Sequence, residues 1–316
     1  MDFAKMLKEE RQKAKLKSQT ETKLESNASL SSSSSPSSLL QRSDDARGRG
    51  ETGQDVRTSA DKDKMERLVV DGHELLPMYG YAVPRMSEME DRASEESNKI
   101  ILDDMQVKGG PAGLYYIDDF LSEVEADTMQ KNTYSVDERG WEQLRRRRLQ
   151  NYGGYAGRYL TSVPGWVDSL FEVMTRRGVF DTDHRPNHLL LNEYKRGEGI
   201  SAHTDGPAYY PRVAILSLLS PLKICFWRSV SEVAKGGCTT SLLLRPRSLL
   251  VFEGEAYNDY VHSIEEVAED EIDESVLNAK EEEKGRVIKR SLRLSFTIRH
   301  AYADTTIPLP ASLRRD

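Results

Sequence analysis

The chain has 316 residues, enough for one large domain or two modest ones. Only 37% of them are hydrophobic and 31% are charged, against roughly 45 to 50% apolar in an ordinary globular chain, so part of the sequence adds nothing to a core. The net charge of -7 excludes uniform attraction to nucleic acid or to an anionic membrane and leaves room only for a local basic patch.

The two cysteines, Cys225 and Cys238, have neither C-x-x-C spacing nor the number a disulfide framework needs, which fits a reducing compartment. Met1-Asp2-Phe3-Ala4-Lys5 runs straight into charged residues without the apolar stretch of a secretory leader. The most apolar run, Val213 to Trp227, is broken by Pro221 and Lys223 and is shorter than the roughly 20 residues of a membrane span. The expectation is a soluble, monomeric protein of cytoplasm or nucleus.

In chain order, Asp2 to Lys23 suits a short solvated helix or a frayed charged arm. Ser26 to Ala60 is low complexity, with an unbroken Ser31 to Ser35, and lacks the apolar surface to offset ordering entropy. Residues 1–98 are therefore expected to be a largely disordered tail open to protein partners, residues 99–304 the folded domain, and residues 305–316 a second tail. Leu114 to Ile117 predicts a strand. Ser122-Glu123-Val124-Glu125 predicts a capping box opening a helix to about Asn132. A second helix opens near Pro164, aligns Trp166, Val167, Leu170, Phe171 and Met174, and stops at Gly178.

The remainder predicts strands at His188 to Tyr194, Val213 to Leu218, Leu222 to Trp227, Thr240 to Leu244, Ser248 to Phe252 and Leu292 to Ile298. Turns rather than helices separate them. This favours a mainly β antiparallel sandwich or jelly roll, with the two helices packed on one side, over a parallel doubly wound sheet. Residues 265–284 form an acid-rich insertion expected to be mobile and exposed.

Chemistry concentrates in four places. In the first strand after the helices, period-2 alternation sends Asn192 and Tyr194 to one side. Beyond the Lys195 to Gly199 turn, His203 and Asp205 are again two apart and offer an imidazole and a carboxylate to one point if extended. Alone, such a pair is as readily solvated or internally bonded. His262 after the Ser248 to Phe252 strand completes two histidines and a carboxylate, a set that holds non-haem Fe(II) with open positions and equally suits catalytic zinc. Finally, Leu292 to Arg299 alternates, placing Arg293, Ser295, Thr297 and Arg299 on one face. That face is either solvated or a clamp, since guanidinium binds carboxylate in bidentate fashion.

The order N-x-Y, H-x-D, H and R-x-S-x-T-x-R resembles the AlkB-type Fe(II)/2-oxoglutarate dioxygenases over about Leu114 to Tyr302. Leu149-Gln150-Asn151-Tyr152-Gly153-Gly154, Pro186-Asn187-His188, His203 to Pro211 and Arg245 to Val251 are similar to the sixth AlkB homologue branch. The resemblance implies a double-stranded β-helix. It implies Fe(II) on His203, Asp205 and His262, the distal carboxylate of 2-oxoglutarate on Arg293 and Tyr194, and Asn192 and Arg299 near the chelating end, with Ser295 and Thr297 lining the pocket. Ser295 stands where the wider family has Asn.

The implied reaction couples oxidative decarboxylation of 2-oxoglutarate by dioxygen, giving succinate and carbon dioxide, to hydroxylation of a C–H bond. On an N-methyl group the product collapses to formaldehyde and the demethylated amine. For substrate, Arg145, Arg146, Arg147 and Arg148 followed by Tyr152 interleave basic and aromatic residues where the family carries its nucleotide-recognition lid; such a surface suits phosphate contact and base stacking. Tyr209 and Tyr210 line the mouth or the core. A nucleic acid, DNA or RNA, is the expected substrate. Oxygenation of a protein side chain, zinc hydrolase chemistry and a non-catalytic binding scaffold remain open alternatives.

Overall fold

The computed structural model describes residues 99–302 apart from 136, 157, 158 and 239, with positions 8, 9 and 12 and two short strands, β1 (Leu68–Val70) and β2 (His73–Leu75), which pair with each other. The rest of both expected tails lies outside the described residues.

Two antiparallel sheets face each other. The larger has the order β3 (Leu114–Ile117), β13 (Leu249–Glu253), β10 (Tyr209–Leu219), β17 (Arg293–Ala301), β8 (His188–Tyr194), β5 (Arg148–Tyr152) and β4 (Glu142–Gln143). The smaller has β12 (Thr240–Leu244), β11 (Leu222–Trp227), β14 (Val261–Ile264) and β9 (Ile200–His203). Short hairpins β6 (Gly154–Tyr155) with β7 (Tyr159–Leu160) and β15 (Glu269–Glu271) with β16 (Val287–Lys289) lie outside them. The expected jelly-roll class is borne out.

The helices form where the residues require. Ser122 Oγ accepts from Glu125 N, and Glu125 Oε2 accepts from Ser122 N at 2.6 Å, closing the capping box at the start of α1 (Glu123–Tyr134). The second helix, α2 (Gly165–Arg176), has Pro164 as N-cap and ends before Gly178, whose φ of 80° suits glycine. Its buried face of Trp166, Val167, Leu170, Phe171, Val173 and Met174 packs with Leu189, Leu191, Leu294, Phe296 and Ile298 on one side of the large sheet. Alternation sends Leu190, Tyr194, Val213 and Ile215 to the other side, against Ile224, Phe226, Leu242 and Leu244 of the small sheet. Both faces of β8 and β17 are thereby buried, so the polar residues of β17 point between the sheets and not to solvent: Arg293, Ser295, Thr297 and Arg299 are 1, 4, 6 and 2% exposed.

The acidic insertion exposes most of its acidic residues, as expected, but a few of its side chains dock it on the small sheet. Ile272 and Val276 are buried against Leu243. Asn278 Oδ1 accepts from Leu243 N and its Nδ2 donates to Leu243 O, so a side-chain amide continues the edge of β12. Buried Asp270 takes both arms of Arg290 at 2.6 Å. The acidic residues between these anchors hid the few apolar side chains that dock the segment. Between β13 and β14 the chain holds a short helix, α3 (Gly254–Asn258).

Candidate active site

The site is assembled by pairing in both sheets. In the small sheet His203 on β9 is the cross-strand partner of His262 on β14, and the ring centroids are 4.3 Å apart. Gly199 permits this approach, because a Cβ there would stand 2.3 Å from the Ile264 carbonyl oxygen. The His203 ring nitrogen Nδ1 lies 2.8 Å from the Ser201 carbonyl oxygen. A carbonyl only accepts, so Nδ1 carries the hydrogen and Nε2 keeps its lone pair. Burial, then the neighbouring His262, pushes the His203 imidazole well below its usual pKa. Burial also lowers that of His262, against the pull of Asp205. Both rings are neutral donors at pH 7.

Asp205 follows β9 and is buried. Its Oδ2 stands 3.7 Å from His262 Nε2, and its Oδ1 is in ion-pair contact with Arg299. The Arg299 guanidinium lies over the Tyr209 ring, 4.7 Å from its centroid. As placed, no three His, Cys, Asp or Glu side chains among the described residues stand in ready metal-ligating geometry, the Asp205 carboxylate being turned toward Arg299.

In the large sheet Arg293 is the partner of Tyr194, and Ser295 that of Asn192. The Arg293 guanidinium sits 5.7 Å from the Tyr194 ring centroid, and its Nη2 donates to Ser217 Oγ at 2.9 Å. Among the described residues, Nε and Nη1 of the same group are buried without a hydrogen-bond partner. Burial lowers the Arg293 pKa to about 10; the group is still charged at pH 7. A cavity brings the two halves together. Its polar wall is Asn192, Tyr194, Arg293, Ser295, Thr297 and Arg299, with His203 and His262. Leu190, Ile200, Ile215, Ile224, Leu244 and Ile264 make the rest apolar. A buried guanidinium with two open donors, facing a cavity, is the complement of a carboxylate.

Of the residues expected to meet substrate, the structure splits the four arginines. Arg145 is exposed, and Arg146 is ion-paired with Glu266. Arg147 is fully buried, with its Nε donating to Asn192 Oδ1 at 2.9 Å. Arg148 binds Glu193 through two nitrogens, at 2.6 and 3.0 Å, reaches Glu138, and stacks on Trp141. The four arginines therefore do not share one exposed surface: Arg147, immediately before β5, is turned into the interior. Tyr152 leans edge-on against Trp166 in the helix-side core and not at the cavity. Tyr209 is buried beside Arg299, whereas Tyr210 stacks on His184 at 3.7 Å. Sequence reasoning passed over Ser217, which only pairing of β10 with β17 brings to Arg293, and His188, the cross-strand partner of Arg299.

Residues 121–299, more than half of the chain, match the family model described as 2OG-Fe(II) oxygenase superfamily. The chain belongs to that superfamily. It is accordingly an oxygenase of the class that uses Fe(II), 2-oxoglutarate and dioxygen. The AlkB-type resemblance holds as well. Over 206 residues the oxygenase is 37% identical to "Probable RNA/DNA demethylase ALKBH6" of Danio rerio, covering 61% of this chain and 88% of that one. Over 218 residues it is 31% identical to "Alkylated DNA repair protein ALKBH8 homolog" of Arabidopsis thaliana, covering 59% of this chain and 58% of the relative's length. A solved 2OG-Fe(II) oxygenase family oxidoreductase from Burkholderia pseudomallei covers 66% of this chain and 95% of its own, at 9% identity and a TM-score of 0.41.

Proposed function

We propose that this oxygenase binds Fe(II) through His203, Asp205 and His262 and 2-oxoglutarate through Arg293, and oxidatively demethylates an N-alkylated base in DNA or RNA. The observation that carries the cosubstrate assignment is the Arg293 guanidinium, buried against Tyr194 with Nε and Nη1 unpartnered at the cavity wall. A dicarboxylate supplies the missing counter-charge and the missing acceptors. The donor set suits iron: two neutral imidazoles on paired strands and one carboxylate are a facial set with open positions.

Bound iron supplies activation of dioxygen, coupled to decarboxylation of 2-oxoglutarate to succinate and carbon dioxide. The protein supplies position and exclusion. Arg293 and Tyr194 would hold the distal carboxylate, and Arg299 is ion-paired with Asp205. The Ser201 carbonyl fixes the His203 tautomer. The apolar wall of Leu190, Ile215, Ile224 and Leu244 keeps water from the oxidising centre. With iron and 2-oxoglutarate bound, one oxygen atom would go to succinate and the other to the substrate methyl carbon, and the hydroxymethyl amine would release formaldehyde.

The names of the Danio rerio and Arabidopsis thaliana relatives support a nucleic acid substrate. A second reading, oxygenation of a protein side chain, draws on the commitment of Arg146 and Arg148 to Glu266 and Glu193, which reduces the basic surface open to phosphate. Succinate release from full-length protein with Fe(II), measured against methylated oligonucleotides and methylated peptides, separates the two. Turnover with formaldehyde equal to succinate on an oligonucleotide is expected. Stimulation by peptides alone favours the second reading, and failure to bind 2-oxoglutarate overturns both.

A further inference from the structure

Arg147 is 0% exposed although Arg145, two residues earlier, is in solvent. Its Nε donates to Asn192 Oδ1 at 2.9 Å, and Asn192 lines the cavity with Arg293, Ser295 and His203. A guanidinium has donors and no acceptor. The amide atom that meets it therefore has to be the carbonyl oxygen, whichever way an amide of this shape is drawn. An NH2 in that place would set donor against donor in the interior, where an unmade bond is costly. Satisfying Oδ1 on Arg147 leaves Nδ2, a two-hydrogen donor, as the polar end of Asn192 that the cavity receives.

We infer that Arg147 is a positioning residue that fixes the amide of Asn192 so that the cavity meets a hydrogen-bond donor, the polarity an anionic keto acid requires. The inference rests on the cosubstrate reading of the cavity. Arg147 acts through Asn192, and its backbone work is separate: its carbonyl accepts from Leu144 N at 2.9 Å and Gln143 Nε2 at 3.2 Å. Side-chain substitution leaves those two bonds in place.

The test is equilibrium binding of 2-oxoglutarate to the full chain loaded with Mn(II), followed by isothermal titration calorimetry without turnover. R147M, which keeps an apolar stem but no donor, is expected to weaken binding roughly tenfold or more, the fold-change of one lost hydrogen bond to a charged group. R147Q, whose amide N–H can donate again to Asn192, is expected to recover part of it. N192A should lose as much as R147M, and the double variant no more than N192A alone. N192D separates positioning from packing. It is isosteric and forms an ion pair with Arg147, so its thermal midpoint should hold or rise while binding falls at least as far as in N192A. Binding by folded R147M within twofold of wild type, additive losses in the double variant, or unimpaired binding by N192D overturns the role of Arg147 alone. Wild-type protein that does not bind 2-oxoglutarate overturns the cosubstrate reading beneath it.

Discussion

His203 and His262 are 59 positions apart in sequence and directly opposite each other across β9 and β14, with ring centroids 4.3 Å apart. Their strands pair through backbone hydrogen bonds, so substitution of one ring should leave the sheet standing. His203→Ala is expected to lower Mn(II) or Fe(II) affinity by more than the roughly 10- to 100-fold that loss of an outer-shell partner costs. The far-ultraviolet circular dichroism should be unchanged. Metal content after reconstitution and desalting checks this; wild-type content in the variant would remove the histidine pair from the site.

Arg293 presents two unpartnered nitrogens to the cavity and spends Nη2 on Ser217. Arg293→Ala should raise the dissociation constant for 2-oxoglutarate by roughly 10- to 100-fold, the range of a charge-assisted hydrogen bond. Ser217→Ala removes only a neutral holding contact and should cost less than Arg293→Ala. Anaerobic titration of the two variants gives the order directly, and an inverted order would place the carboxylate elsewhere.

His188 is 2% exposed beside Arg299. Burial, reinforced by the Arg299 charge, drops its pKa from 6.5 to about 3. The unfolded chain therefore binds a proton that the folded chain refuses over the window between those values, and stability falls as the pH drops through it. Between pH 7 and pH 5 this one group should cost about 2 kcal/mol, the integral from the unfolded pKa downward. Urea midpoints at the two pH values should differ less in His188→Phe than in wild type; equal differences would mean that His188 is not held neutral.

Arg148 offsets the charge of Glu193, which is 2% exposed and also accepts from the Tyr134 hydroxyl at 2.7 Å. Arg148→Ala leaves a buried carboxylate without its cation and should destabilise the fold by about 3 to 5 kcal/mol. Arg145→Ala, at an exposed position, should leave the thermal midpoint in place. If both leave it in place, the Glu193 pair is not structural.

Patterning on single elements was legible in the sequence. The capping box at Ser122, the stop at Gly178 and the limits of β3, β8, β11 and β12 follow from local sterics and hydrogen bonding, which neighbouring residues fix between themselves. So did the alternation that gathers Arg293, Ser295, Thr297 and Arg299 on one face. What alternation could not decide is which face meets solvent, because both faces of β17 are covered, one by α2 and one by the small sheet.

The sequence by itself determined the local elements and the kinds of side chain available for chemistry, since helix caps and the two-residue period of a strand are short-range properties. Only the tertiary structure decided who meets whom. The pairing of β9 with β14 and of β10 with β17 places His203 by His262 and Ser217 by Arg293, and the inward turn at Arg147 divides one run of arginines between solvent, ion pairs and a buried contact with Asn192. The reason is that a cation or an imidazole in the interior needs partners, and those partners come from strands tens of residues away, whose register is set by the packing of both sheets.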